Sequence, residues 1–163
     1  MDTKVISKEE LKQLYDKDYP LWVEINLQLL KEKAYELVDW DNLLEEIEDM
    51  GRSDLKACIS YLAVILEHLY KLDNFKLIAG GETAGSSWRK SIFNSRVELE
   101  AMFKNYPSLK VKLPYEIDKA WNIAVARLKI WLYDNGYNPD SFSIPEECPY
   151  SYQDALDKNI NSL

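Results

Sequence analysis

Ser53-Asp-Leu-Lys-Ala-Cys-Ile-Ser-Tyr-Leu-Ala-Val-Ile-Leu-Glu-His-Leu-Tyr-Lys-Leu72 decides the fold class. Projected at about 100° per residue, Leu55, Ile59, Leu62, Ala63, Leu66, Leu69 and Tyr70 fill one side of a helix. Tyr61, Val64 and Ile65 carry apolar character round the other side. Only Lys56, Ser60, Glu67 and Lys71 leave a narrow polar strip. A helix that is apolar almost all round belongs in the middle of a domain, with Ser53 placed to cap it.

The flanking segments keep the same 3.6-residue period. Upstream, Ser7-Lys8-Glu9-Glu10 is a capping box that opens a helix, and Pro20 suits the first turn of a second helix or a kink. Asp39 is a good N-cap for a short helix over 40–50, with Gly51 at its C-terminal end. Trp40, Leu43, Leu44 and Ile47 would lay one stripe of that helix on the core. Downstream, the glycine-rich stretch 73–86 reads as a flexible loop. Ser86 or Ser87 then caps a helix through Tyr106, with Trp88, Ile92, Ser95, Leu99, Met102 and Phe103 on one face. Pro114 starts another helix, with Trp121, Ala124, Leu128 and Trp131 inward and Asn135-Gly136 at its close. The chain after Pro139 is an irregular tail in which Ser151 caps a last short turn to Leu156. With no strand alternation and no repeat, the expected architecture is all-α: one helical-bundle domain over 1–163, with about four longer helices and short flanking ones.

Composition bounds the class. The chain has 163 residues, 47% of them apolar and 29% charged, with five glycines and six prolines. That describes a soluble globular chain and excludes disorder, collagen and tandem arrays. A chain of this size buries roughly two thirds of its unfolded surface and needs no disulfide or structural metal. Cys58 and Cys148 make no framework, so reduced thiols and a cytoplasmic location are expected. No apolar run approaches the ~20 residues of a membrane span, and the polar start at residues 1–4 is unlike a secretory signal.

The net charge of −8 is unevenly spread. Residues 1–50 carry 6 basic and 14 acidic groups, residues 51–130 carry 13 and 8, and residues 131–163 carry 1 and 6. An acidic surface argues against phosphate binding, so nucleic acid ranks last among partners. Basic middle helices against acidic outer ones account for the segregation.

The single histidine, His68, removes most His-based metal motifs and the paired Glu-x-x-His of di-iron bundles. No phosphate-binding glycine motif is present. Cys58 and His68 are ten residues apart on one helix, roughly 15 Å along its axis, too far to form a nucleophile pair. Cys148, beside two prolines, reads as a packed thiol. Among acidic residues, Glu45 and Asp49 point away from the 40–50 stripe, while Glu46 and Glu48 flank it. Glu46 is placed to meet a cation on another helix, and Arg96 borders its own helix's apolar face in the same way. The candidate catalytic residues are therefore Glu46, His68 and Arg96, with Trp88, Lys71 and Glu45 as candidate ligand-binding residues. A structural reading stands beside this one and is preferred: a Glu46–Arg96 ion pair at a helix seam, with His68 donating to an internal oxygen. Metal and cofactor stay unassigned.

Tyr19-Pro-Leu-Trp22, Asp39-Trp-Asp-Asn-Leu-Leu-Glu-Glu-Ile-Glu-Asp-Met-Gly51, His68-Leu-Tyr-Lys71, Ser87-Trp-Arg-Lys-Ser-Ile92 with Arg96, Pro107-Ser-Leu109 and Pro145-Glu-Glu-Cys-Pro149 resemble, in order, the blocks of the domain of unknown function family 29. The resemblance covers about 14–156. It implies a small helical prokaryotic protein and no established activity or ligand. It also singles out Asp39, Glu45, Glu46, His68, Lys71, Ser87, Trp88 and Arg96 as recurrent polar positions. Tyr70, where the family often has leucine, and the glycine-rich insert at 79–85 are departures. The leading expectation is a non-catalytic module acting through protein contacts, with a protein partner or a second copy. An enzyme or ligand-binding protein built on Glu46, His68 and Arg96 is the alternative.

Overall fold

A computed structural model describes residues 6–163, and the polar start at residues 1–4 lies outside the described residues. The protein is all-α, with 77% of the described residues helical. No strand occurs among the described residues. The chain divides into two compact units, the first ending at Arg52 and the second Ser53–Leu163.

In the first unit, α1 (Lys8–Lys17) opens with the expected capping box: Ser7 Oγ accepts from the Glu10 amide, and Glu10 reaches back to the Ser7 amide. α2 (Tyr19–Lys31) starts directly after it, with Pro20 in its first turn and Asp18 accepting from the Leu21 amide. Leu11, Trp22 and Val38 are the buried apolar residues here. Trp22 is wedged between Tyr15, edge-on at 4.9 Å, and Tyr19, stacked at 5.6 Å.

The next helix corrects two expectations. α3 runs unbroken over Trp40–Asn74, so Gly51 does not end it and Ser53 does not start a new one. A mid-helix glycine costs only about 1 kcal/mol relative to alanine. Arg52 offsets part of that by pairing with Glu48 at 2.7 Å, in the favourable acid-before-base i,i+4 order. The 40–50 portion is also rolled relative to its apolar stripe. Leu44, Ile47 and Met50 are 53%, 55% and 72% exposed, while Glu46 on the stripe's flank is half-buried. The stripe does not lie on a core.

The second unit is built round the rest of α3, as the sequence predicts. Leu62, Ala63, Ile65, Leu66 and Leu69 are all fully buried. The turn after α3 is shorter than the 73–86 loop expected, because Gly80 and Gly81 both take positive φ (96° and 78°) and α4 begins at once. α4 (Glu82–Asn105) thus starts ahead of Ser86 and Ser87 and includes Gly85. Ile92, Ser95 and Leu99 of α4 face inward. α5 (Pro107–Lys112) is a short helix where the sequence marks only a break. α6 (Ile117–Asp134) follows a 3-10 turn at Pro114 and buries Trp121, Ala124 and Leu128. Gly136, at φ 84°, turns the chain away from it. α7 (Tyr152–Asp157) carries a second full capping box at Ser151 and Asp154. The aromatic residues of this unit are largely core, Tyr70, Phe75, Trp121, Trp131 and Phe142 meeting ring to ring at 5.3–5.6 Å.

Candidate functional site

Lys71 and Glu67 lie one turn apart on α3, in the part of the helix whose other faces are packed. Their side chains are 5% and 10% exposed, and Lys71 Nζ donates to Glu67 Oε1 at 2.8 Å. The same ammonium stands 4.8 Å from the Trp131 ring and 5.8 Å from the Trp88 ring, which meet edge-on. Two ring faces and one carboxylate replace water round the cation, which is the condition for keeping a buried charge. The structure therefore brings two candidate ligand-binding residues, Lys71 and Trp88, together, and adds Glu67 and Trp131, which the sequence reading missed. The polar strip containing Glu67 and Lys71 was the available signal: a cation and an acid at i,i+4 beside tryptophans.

His68 follows Glu67 on the same helix, half-buried. Its Nδ1–H donates to the Val64 carbonyl at 2.7 Å, and burial pushes its pKa below the usual 6.5. The neutral ring with the proton on Nδ1 is thus favoured.

Arg96 on α4 takes up the C-terminal segment. Its guanidinium donates to the carbonyls of Ala155 (2.8 Å), Lys158 (3.1 Å) and Asp154 (3.2 Å). These carbonyls sit at the end of α7, where helical oxygens run short of main-chain partners; the Asp154 oxygen also accepts from the Lys158 amide, and one planar fork reaches all three.

Glu46 belongs to the first unit. Tyr15 donates to its Oε1 and Tyr19 to its Oε2, the latter at 2.7 Å. These two bonds hold the Glu46 carboxyl below the usual carboxylate range and push both phenols up. The expected Glu46–Arg96 pair gives way to this arrangement: each group has its partners within its own unit. The physical reason on the acidic side is the roll of α3, which turns Glu46 rather than the apolar stripe toward Tyr15 and Tyr19. Glu45 is exposed.

Asp39, 4% exposed, is more central than its expected role as a cap. Its Oδ2 accepts from the Trp22 indole at 2.8 Å and the Asn42 amide at 2.7 Å, and its main-chain N–H donates to Asn26 Oδ1 at 3.0 Å. These side chains take the place of the main-chain amides the sequence reading assigned to it.

Each unit carries an open cleft. One of about 470 Å³ is lined by Asp118, Asn122, Glu146, Cys148 and Tyr152 among others; the second, about 360 Å³, by Lys8, Lys12, Asp39 and Trp40 among others. Glu46, His68, Lys71, Trp88 and Arg96 line neither. Burial raises the pKa of both the Cys58 and Cys148 thiols, which opposes thiolate chemistry. Among the described residues, no three His, Cys, Asp or Glu side chains are grouped to hold a metal. No described helix is long and apolar enough to cross a membrane.

The sequence pattern of the family described as Domain of unknown function DUF29 matches residues 14–160. No curated protein and no solved structure matches the chain.

Proposed function

The chain belongs to the DUF29 family, and from that footing we propose that it is a cytoplasmic, non-catalytic helical module that works through protein–protein contacts. The observation that carries this reading is the stripe of Leu44, Ile47 and Met50, each more than half exposed. Large apolar side chains at i, i+3 and i+6 of one helix are kept out of water in most proteins, and a contiguous exposed set marks an interaction surface. The rim is acidic. Asp41, Glu45, Glu48 and Asp49 are all exposed on the same stretch of helix, with Lys12 paired to Asp41 and Arg52 to Glu48 and Asp49. A partner that seats an apolar ridge between basic side chains fits that surface, and a phosphate backbone is repelled by it.

The candidate polar residues support the same reading. Glu46, His68, Lys71 and Arg96 are each committed to an oxygen or hydroxyl of the fold, and none lines either cleft described above. The alternative of an enzyme or small-ligand site built on Glu46, His68 and Arg96 draws no such support.

The test is the double variant Ile47→Glu/Met50→Glu. Its unfolding midpoint should stay near wild type, because exposed substitutions usually change stability by about 0.5 kcal/mol or less. Cross-linking mass spectrometry and sedimentation velocity on the wild-type protein should show a discrete complex, with a partner or a second copy, that maps to 44–50 and disappears in the variant. A variant that retains the same complex, or one destabilised by more than about 2 kcal/mol as for a core substitution, would overturn the proposal.

A further inference from the structure

α4 carries a second exposed apolar stripe, and its ends are basic. Phe93 and Val97 are 63% and 47% exposed, Ala101 follows one turn later, and the exposed Lys90 and Lys104 close the stripe at either end. Projected at about 100° per residue, these five residues share one face of α4. Glu98 and Glu100 lie on its flanks, so the basic character is confined to the ends. The ridge of Leu44 and Ile47 on α3 has ends of the opposite sign: the exposed Asp41 precedes it and the exposed Asp54 follows it, with Gly51 between. At a helical rise of about 1.5 Å per residue, each stripe runs roughly 20 Å between its end charges. Among the described residues Asp54, Lys90 and Lys104 enter no ion pair, and Asp41 meets only Lys12, at 3.8 Å in an exposed pair. Such a pair is easily exchanged.

Gly51 has no use within its own chain. Its φ is not positive, and a Cβ there would meet nothing within 4 Å. A glycine inside a helix forfeits stability that alanine would supply. Laid antiparallel, the two stripes account for it: Leu44 falls against Ala101, Ile47 against Val97, and Phe93 against the bare backbone of Gly51. Large meets small at both ends of the apolar stretch, as ridges seat in grooves. The same alignment sets Asp41 opposite Lys104 and Asp54 opposite Lys90. A parallel alignment would set Leu44 against Phe93 and Gly51 against Ala101, bulk on bulk and gap on gap.

We infer that the occupant of the 44–50 surface is a second copy of this chain, whose α4 stripe packs antiparallel on the α3 ridge. The inference rests on the reading of 44–50 as a contact surface and names its partner. One chain carries both halves of the match, in length, in shape and in sign. The charge asymmetry acts in the same direction: residues 1–50 carry 6 basic and 14 acidic groups and residues 51–130 carry 13 and 8, a distribution that steers the acidic segment of one copy toward the basic segment of another. The contact is heterologous, using different patches on the two copies.

The test uses the full chain. Sedimentation velocity over a concentration series should show self-association of the wild-type protein, weakened by at least about tenfold in both Ile47→Glu/Met50→Glu and Phe93→Glu/Val97→Glu. Two charge variants read the pairing itself. Asp41→Lys/Asp54→Lys and Lys90→Glu/Lys104→Glu should each fail to self-associate, and an equimolar mixture of the two should form a mixed complex, because each α3 stripe then finds an α4 stripe of opposite sign on the other variant. Gly51→Leu should keep or raise the melting temperature, leucine being the better helix former, and should lose the complex. A wild-type chain that stays monomeric, a mixture without a complex, or association that survives Gly51→Leu would overturn the inference. A complex lost in Ile47→Glu/Met50→Glu but kept in Phe93→Glu/Val97→Glu would overturn it while leaving 44–50 as a contact surface for another partner, and one kept in both would remove the two readings together.

Discussion

Replacing Lys71 by methionine tests whether the buried cation is held as the geometry implies. The substitution keeps much of the side-chain volume and removes the ammonium, which has a carboxylate at 2.8 Å and tryptophan rings at 4.8 and 5.8 Å. Glu67, 7% exposed, is left without its cation. Breaking a buried pair from one side costs about 3–5 kcal/mol, because the stranded charge dominates the loss. That is a large share of the ~5–15 kcal/mol that holds a typical domain. Glu67→Leu should cost less than Lys71→Met, since the two ring faces still stabilise the remaining ammonium; a cation over a desolvated ring is worth about 2 kcal/mol. The double variant Glu67→Leu/Lys71→Met removes both charges and should recover most of the loss, giving a coupling of at least about 2 kcal/mol. Urea unfolding followed by tryptophan fluorescence reads all four proteins, with Trp88 and Trp131 as reporters beside the site. A loss below about 1 kcal/mol in Lys71→Met, or a double variant no more stable than the worse single one, would refute the reasoning.

Two further outcomes follow from the second unit. Leu62 and Leu66 are fully buried, so truncation of either to alanine should cost about 2–5 kcal/mol; an unfolding midpoint equal to wild type would show that α3 is not the centre of this core. His68 has its pKa lowered by burial, so the folded protein binds fewer protons at this site than the unfolded chain just below pH 6.5. Its contribution is fully present above the unfolded pKa and is lost as pH falls through the folded one, so stability should decline on acidification from about pH 7.5, and a His68→Gln variant should lack that part of the slope. An imidazole titration by NMR with a midpoint at or above 6.5 would contradict this.

Local signals in the chain determined local structure. The capping box at Ser7 and the cap at Ser151 form as written because each needs only residues three positions apart, and the long apolar segment 53–72 is central because no other environment accepts a helix apolar on nearly every side. The ordered blocks from Tyr19 to Pro149 were enough to reach the family. Gly51 and Ser53 were misleading for the opposite reason: they are compatible with a helix end, but a helix ends there only if the chain must turn, and nothing local says whether it must.

The polar partners were decided by tertiary structure. Glu46 and Arg96 both border apolar faces, so charge alone made them a pair; the roll of α3 gives Glu46 to Tyr15 and Tyr19, and the course of the tail gives Arg96 to the carbonyls ending α7. The same roll leaves Leu44, Ile47 and Met50 in solvent, although their spacing is that of a core stripe. Periodicity states which residues share a face but not what that face meets. The partner across a contact is set by the path of chain segments far apart in sequence, as when Lys76, Arg89 and Leu163 close one clamp.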